Sequence, residues 1–310
     1  MSEHVAIVVV TYNSSDVIAD LVASLDGGMG EVPWHLLIAD NSSQDDTVEI
    51  VRRIAPDATV LALPDNRGYA AGINSAVAAA GPHTAVLVLN PDVRLQTDCG
   101  PTLLAALRAS GAGIVVPRLL DASGELIHSM RREPTVLRML GDAVLGAVRA
   151  GRRPLLGEMV TEPEAYEHEQ DVDWAEGSTQ LVDAACWRAC GAWDEGYFLY
   201  SEETEFHLRA GDRGFAVRYV PSAGAVHLEG GSATSSRLWP LLVANRWRLF
   251  RSRHGAAHSA AFWVALLARE GSRALLGRAT CRRAAGVLLR PTLLRAPRGP
   301  EWLDAVSASA

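Results

Sequence analysis

The chain has 310 residues, 48% hydrophobic and 21% charged, which is long enough for one large domain or two smaller ones and too apolar for a disordered chain. No uninterrupted apolar run reaches the ~18 residues that a membrane span needs, and the opening Met-Ser-Glu-His passes straight into a strand-like run rather than a signal peptide. All 29 basic residues are arginine, which excludes a phosphate-loop lysine, a Schiff-base lysine and a lysine general base.

Val5–Val10 is a short β-branched run and predicts a strand. Thr11-Tyr12-Asn13-Ser14-Ser15 follows, then Val17, Ile18, Leu21, Val22 and Leu25 at helical spacing, with Gly27-Gly28 as the expected stop. A second strand, Leu36–Ala39, closes on Asp40-Asn41-Ser42-Ser43. A helix from Thr47 to Ile54 and a third strand, Thr59–Leu63, lead to Asp65-Asn66-Arg67-Gly68. Helix Ala70–Ala80 and strand Thr84–Leu89 complete four alternations and end on Asn90-Pro91-Asp92. Such alternation predicts a mostly parallel sheet with helices on both faces. In these sheets ligands bind beyond the carboxyl ends of the strands, and all four polar clusters fall there.

Ala112–Pro117 predicts a further strand. Residues 131–171 are less regular, with an amphipathic stretch (Val136, Leu137, Leu140, Val144, Leu145, Val148) and then an acidic loop. Val172–Ala185 is strand-like, Tyr200–Gly214 a turn and helix, and Ala216–Val220 and Ala223–His227 two short strands. From Ser236 onward the pattern is helical. Residues 237–310 hold 13 arginines against Glu270, Glu301 and Asp304, a balance of +10, whereas residues 1–236 stand at −17. A basic amphipathic segment suggests an interfacial helix on an anionic membrane surface. Packing on the preceding domain, or a homo-oligomer contact, would use the same apolar face. The acidic body argues against nucleic acid. Cys99, Cys186, Cys190 and Cys281 have no companion pair at zinc-site spacing and read as reduced thiols of a cytoplasmic protein.

The first strand-to-helix turn lacks G-x-G-x-x-G, so a dinucleotide site of the usual kind is not expected. Asp40 can accept hydrogen bonds from a nucleoside, or equally from its own loop as an Asx-turn.

Five stretches occur in order: VVVTYNSSDVIADLVASL, IADNSSQDDT, DNRGYAAGINSAV, VLNPDVRL and GAWDEGYFLYSEETEFHLRAGDRGF. Together they resemble glycosyltransferase family 2, over about residues 5–250, and within it the rhamnosyltransferase-like branch. The resemblance implies a GT-A fold, an α/β, Rossmann-like catalytic domain over 1–235. About 1–115 would bind the nucleotide sugar, 116–235 would carry the acceptor side and the base, and 236–310 would form a helical C-terminal extension. It implies an inverting, metal-dependent transfer from dTDP-L-rhamnose, with a UDP-hexose second, to a hydroxyl of a glycan or glycolipid in cell-envelope polysaccharide synthesis. The location would be cytoplasmic, or peripheral at the inner face of the cell membrane.

By the same resemblance Asp92 is the metal-binding acid of an Asn-Pro-Asp motif. Asn90 stands where many relatives have Asp, and His227 completes the site for Mg²⁺ or Mn²⁺. Thr11, Tyr12, Asn13, Asp40, Asn66, Arg67, Gly68, Asn74 and Asn90 fall on the donor side, and Gly68 and Gly72 would permit close backbone approach. Glu203 stands where relatives carry the catalytic base, with Glu202 beside it in reserve; Trp174, Gly177 and Asp194 fall in the acceptor segments. Two other classes remain open. A nucleotidyltransferase shares this type of sheet but usually has a Gly-rich first loop. A non-catalytic binder of the same fold would tolerate Asn90 and Glu203 in place of aspartates.

Overall fold

The computed structural model describes residues 3–228 and 237–308; the expected boundary at 235/236 lies outside them. The strands are β1 (Val5–Thr11), β2 (Trp34–Asp40), β3 (Thr59–Ala62), β4 (Ala85–Leu89), β5 (Val93–Leu95), β6 (Ile114–Leu120), β7 (Met130–Arg131), β8 (Gln170–Val172), β9 (Trp174–Ala175), β10 (Thr179–Asp183) and β11 (Val217–His227). Between and after them run α1 (Ile18–Met29), α2 (Thr47–Ile54), α3 (Tyr69–Ala79), α4 (Cys99–Ser110), α5 (Val136–Leu145), α6 (Ala147–Gly151), α7 (Ala184–Cys190), α8 (Glu202–Asp212), α9 (Trp239–Arg253), α10 (Ala256–Leu275), α11 (Ala279–Leu288), α12 (Pro291–Arg295) and α13 (Pro300–Ala308).

Eight strands form a sheet in the order β3-β2-β1-β4-β10-β6-β11-β5, and β8 also pairs with β11. β1 to β4 are parallel, as the alternation predicts. Both β1 neighbours are strands, so every residue of Val5–Thr11 is buried. Alternate side chains serve opposite faces. Val5, Ile7 and Val9 join α1, α2 and α4 in one core, while Ala6, Val8 and Val10 join α3, α7 and α8 in another.

Several boundaries differ from expectation for physical reasons. Helix α1 runs through Gly27-Gly28 and ends at Gly30, in the left-handed region at φ 51°. Gly28 is needed for contact instead: a Cβ there would lie 2.4 Å from Leu95 Cβ. The span Val172–Ala185 breaks into β8, β9, β10 and the start of α7, where Asp183 caps the helix by accepting from the Ala185 N–H at 2.6 Å. Strand β10 enters antiparallel between β4 and β6. The two short strands at 216–227 are one strand, β11, with an irregularity between Val220 and Gly224.

The C-terminal helices pack on the sheet domain through a third core. It joins Met139 of α5 and Phe198 to Leu241, Phe250, Phe262, Leu266, Val287, Leu288 and Trp302. Arginines of α9 reach back to the body's acids: Arg246 to Glu158, Arg248 to Asp194 at 3.3 Å, and Arg253 to Asp212 at 2.7 Å and Glu133 at 3.0 Å. Of the alternatives for the basic region, α9 to α11 therefore use their apolar faces against the rest of the chain. Among the described residues no helix is long and apolar enough to cross a membrane. All four cysteines are buried and free.

Candidate active site

The carboxyl ends of β1, β2 and β4 open onto a cavity of about 420 Å³. Thr11, Tyr12, Asn13, Asn41, Asn66, Gly68, Tyr69, Asn90 and Asp92 line it, closed on the far side by Phe198, Leu199 and Leu228. The first loops are braced by their own polar groups. Thr11 Oγ1 donates to Asp40 Oδ1 at 2.7 Å, and Ser43 donates to the same carboxylate through Oγ at 2.6 Å and N–H at 2.9 Å. Asp40 is 2% exposed, so its Asx-turn partners take its carboxylate and the structure holds it behind the cavity wall. Asn13, in the left-handed region, accepts from the Gln44 N–H at 2.8 Å; Tyr12 is exposed at the rim.

Asn66 and Gly68 make the next wall. The Asn66 side chain accepts from the Gly68 N–H at 3.0 Å, and Asn41 donates to the Gly68 carbonyl at 3.0 Å. Gly68 has φ 94°, and a Cβ there would lie 2.3 Å from the Phe198 carbonyl oxygen. The neighbour that closes on Gly68 is thus the 198–201 loop, and that on Gly72 is Val10. Arg67, Asn74 and Asp194, expected on the donor or acceptor side, line neither this cavity nor the one beside Glu203. Arg67 is exposed and ion-paired to Glu195 at 2.7 Å. Asn74 bonds both backbone groups of Trp193 and Glu195 as well. Asp194 caps the 3₁₀ turn Glu195–Tyr197 and faces Arg248.

Asp92 and His227 come together because the start of β5 pairs with the end of β11, Val93 opposite His227. His227 Nε2 lies 3.3 Å from Asp92 Oδ1, and its Nδ1 lies 3.8 Å from Glu176 Oε1. Glu176 is fixed by Ser178, whose N–H and hydroxyl donate to its two oxygens at 3.0 and 2.7 Å. The described residues contain no group of three or more His, Cys, Asp or Glu side chains arranged to hold a metal alone. A carboxylate beside an imidazole nonetheless suits a divalent ion that takes its other ligands from phosphates and water.

Tyr69 opens α3 in the middle of the site and donates to Asn90 Oδ1 at 2.7 Å. Burial, and then the charges of Glu202, Glu176, Glu203 and Asp92, hold its phenol well above its usual range. It stays a hydrogen-bond donor. Neither Tyr69 nor Glu176 stands out in the sequence. Tyr69 falls just before the expected helix Ala70–Ala80, and Glu176 inside the strand-like span Val172–Ala185.

The 198–201 loop delivers α8. Phe198, Tyr200 and Ser201 all have positive φ, 62°, 69° and 73°, a strained run that needs outside support. Tyr69 N–H donates to the Phe198 carbonyl at 2.7 Å on one side. On the other, Asn245 of α9, fully buried, donates to the carbonyls of Tyr197, Leu199 and Tyr200 at 2.8 to 3.0 Å. Behind this loop lies a second cavity of about 430 Å³, lined in part by Arg131, Trp174, Tyr200, Ser201, Glu203 and Arg246.

The two adjacent glutamates differ. Glu202 is 3% exposed, and burial with the Glu203 charge holds its carboxyl well above the usual range. Glu203 is half-buried and faces the second cavity; burial, with the Glu176 charge beside it, pushes its carboxyl up to about 7. An accessible carboxylate tuned near neutrality is what proton abstraction from a hydroxyl requires. Gly177 lies under Glu203, where a Cβ would come 2.9 Å from the glutamate's own Cβ. Trp174 donates to the Arg132 carbonyl at 3.1 Å, with the Arg131 guanidinium over its ring at 5.7 Å. Gly177 and Trp174 are thus brought beside the glutamate, whereas Asp194 is not. Trp193, stacked on Phe206 at 5.1 Å, is core.

Residues 6–153 match the sequence profile of glycosyl transferase family 2. The chain is 32% identical over 238 residues to the N-acetylglucosaminyl-diphospho-decaprenol L-rhamnosyltransferase of Mycobacterium tuberculosis, covering 73% of this chain and 76% of the relative. Among solved structures it resembles S. aureus TarS at TM-score 0.55 and 16% identity, over 98% of this chain; it spans only 50% of TarS. It also resembles the mannosyltransferase PcManGT of Pyrobaculum calidifontis, solved with GDP-Man and Mn²⁺, at TM-score 0.55 and 16% identity, over 98% of this chain and 86% of that one.

Proposed function

The chain belongs to glycosyltransferase family 2, in its rhamnosyltransferase-like branch, and from that premise we propose an inverting enzyme that moves L-rhamnose from dTDP-L-rhamnose to a hydroxyl of a lipid-linked glycan. The observation that carries the reading is the 198–201 loop, which walls both cavities. Phe198 and Leu199 close the one that holds Asn90 and Asp92, and Tyr200 and Ser201 line the one that holds Glu203. Donor and acceptor would meet across that wall. The M. tuberculosis relative, named for L-rhamnosyl transfer to a diphospho-lipid glycan, supports rhamnose over a UDP-hexose and a lipid-linked acceptor over a free glycan.

In this reading Thr11, Tyr12, Asn13 and Asn41 receive the nucleoside side of the donor, and Asn66, Gly68 and Asn90 the diphosphate side. Asp92 and His227 would hold Mg²⁺ or Mn²⁺, which when bound neutralises charge on the diphosphate; the Mn²⁺ in PcManGT supports a divalent ion. Glu203 takes the proton from the acceptor hydroxyl as that oxygen attacks the anomeric carbon on the face opposite the diphosphate. The bond from carbon to diphosphate breaks, and the configuration inverts. Tyr69 holds Asn90 in place through its phenolic hydrogen bond.

Incubation with dTDP-L-rhamnose or UDP-hexoses, a synthetic diphospho-lipid acceptor and Mg²⁺ or Mn²⁺ tests the reading. Preferential rhamnosyl transfer with an inverted anomeric centre is expected. Preference for a UDP-hexose overturns the donor, and a retained configuration overturns the role of Glu203.

A further inference from the structure

We propose that the outward face of α5 and α6, with the tip of α10, is a docking surface for an anionic lipid bilayer and turns the second cavity toward it. The proposal rests on the lipid-linked acceptor of the preceding reading and adds where the lipid lies.

Helix α5 buries Met139, Gly141 and Asp142 and leaves Leu137, Leu140 and Val144 outward at spacings of three and four. Val144 is 81% exposed, Val148 on α6 56% and Leu155 just beyond it 72%. The end of α10 continues the surface. Arg273 donates to the Asp142 carbonyl at 3.0 Å, which sets the last turn of α10 against α5, and Leu275 and Leu276 follow at 91% and 82% exposed. This concentration of large, nearly bare aliphatic side chains is unlike the scattered apolar residues of an ordinary surface.

Charge selects the partner. Arg149, Arg152, Arg153 and Arg278 are exposed around the patch, and among the described residues none of them forms an ion pair. Residues 143–157 and 271–300 contain no acid at all. Aliphatic side chains ringed by unopposed arginines match an acyl layer beneath anionic headgroups. Residues 1–236 carry −17 overall, so the acidic surface of that part is repelled by the same bilayer, which favours this orientation. Asp142 and Ala147, from these same two helices, line the cavity that reaches Glu203. Docking by this face brings that cavity to the membrane surface, where a lipid-linked sugar is held.

Flotation of the full chain with phosphatidylcholine vesicles, with and without 30% phosphatidylglycerol, tests the surface. Binding to the anionic vesicles alone, reduced at least tenfold by Val144→Glu with Leu275→Glu, is expected. Arg149→Glu with Arg152→Glu should weaken it comparably, and added salt should too. Both double variants should transfer to a water-soluble acceptor at the wild-type rate. Wild-type protein that stays with the buffer, variants that float as wild type does, or a wild-type dimer that the apolar variant splits would each overturn the proposal. Flotation reads no catalysis, so vesicle binding without rhamnosyl transfer leaves the surface standing and removes the proposed reaction.

Discussion

Glu203 and Glu202 are neighbours in sequence, but Glu202 is 3% exposed whereas Glu203 is half-buried and lines the second cavity, and the proposed base is Glu203 on that difference. Glu203→Gln is expected to lower kcat by at least about 10²-fold, the scale of a lost general base, with donor affinity by calorimetry unchanged; a near-normal rate would overturn the assignment. Because the Glu203 carboxyl sits at about 7, kcat/KM is expected to fall as pH drops below about 7, with slope one on a logarithmic plot. The same shift has a stability consequence. The folded carboxyl holds its proton to a higher pH than the ordinary value of 4.5. Its stabilising contribution is full below about 4.5 and is lost as pH rises through about 7. Glu203→Gln cannot ionise, so its melting temperature is expected to gain on wild type between about pH 4.5 and 8. Asp92→Ala should weaken the response of donor binding to Mn²⁺, measured by titration. Asp92, His227 and the Glu pair stand in recognisable motifs, and the structure brings Asp92 beside His227 and Glu203 to a cavity. Glu176 and Tyr69 were not legible in the sequence, because their importance comes from β5–β11 pairing and from the 198–201 loop, contacts that no local pattern encodes. Arg67, Asn74 and Asp194 carry motif positions, yet Arg67 and Asn74 bond within the Trp193–Glu195 turn and Asp194 caps the 3₁₀ turn that follows it.

At the scale of elements, the first four strands and their helices follow from hydrophobic alternation, because β1, β4 and most of β2 are buried on both faces, while the edge strand β3 is only partly covered. The strand-like span Val172–Ala185 includes β10, but its antiparallel place between β4 and β6 is hidden from such reading. Thr179 and Gln180 are polar and fully buried, so a central strand looks amphipathic. Gln180 is satisfied through His207, whose Nδ1 accepts from the Ala175 N–H at 3.1 Å and whose Nε2 then donates to Gln180 at 2.8 Å. Burial pushes His207 down to about 3, so this relay stays neutral across the working range. Helix α9 matters most for the active loop. Asn245→Ala removes the donor to three carbonyls and is expected to cost about 2–4 kcal/mol, as buried polar groups lose their partner. Urea denaturation checks the loss, and kcat should fall because the loop that leads into α8 and Glu203 is loosened. Asn245→Asp, which keeps the size but not the donors, should fare no better.

For the molecule as a whole, the charge division of −17 and +10 is readable in the sequence, but its use is not. Part of the basic balance is spent in contacts between α9 and the acids Glu158, Asp194, Asp212 and Glu133, and the apolar faces of α9 to α11 complete a shared core with Phe198 and Met139. A chain cut after residue 236 is therefore expected to melt at least about 10 °C lower than the full chain or to be recovered unfolded, since several large side chains lose their cover. A truncated chain with full-length stability and activity would show that the helices are dispensable.

The hydrogen bond from the Tyr69 N–H to the Phe198 carbonyl spans the wall between the cavities. It ties the helix that frames one substrate to the loop that presents the base to the other. If filling one cavity shifts that contact, the two ligands are thermodynamically linked, and the factor by which the donor alters acceptor affinity must equal the factor by which the acceptor alters that of the donor. One peptide group can thereby make the grip on each substrate depend on whether the other is bound.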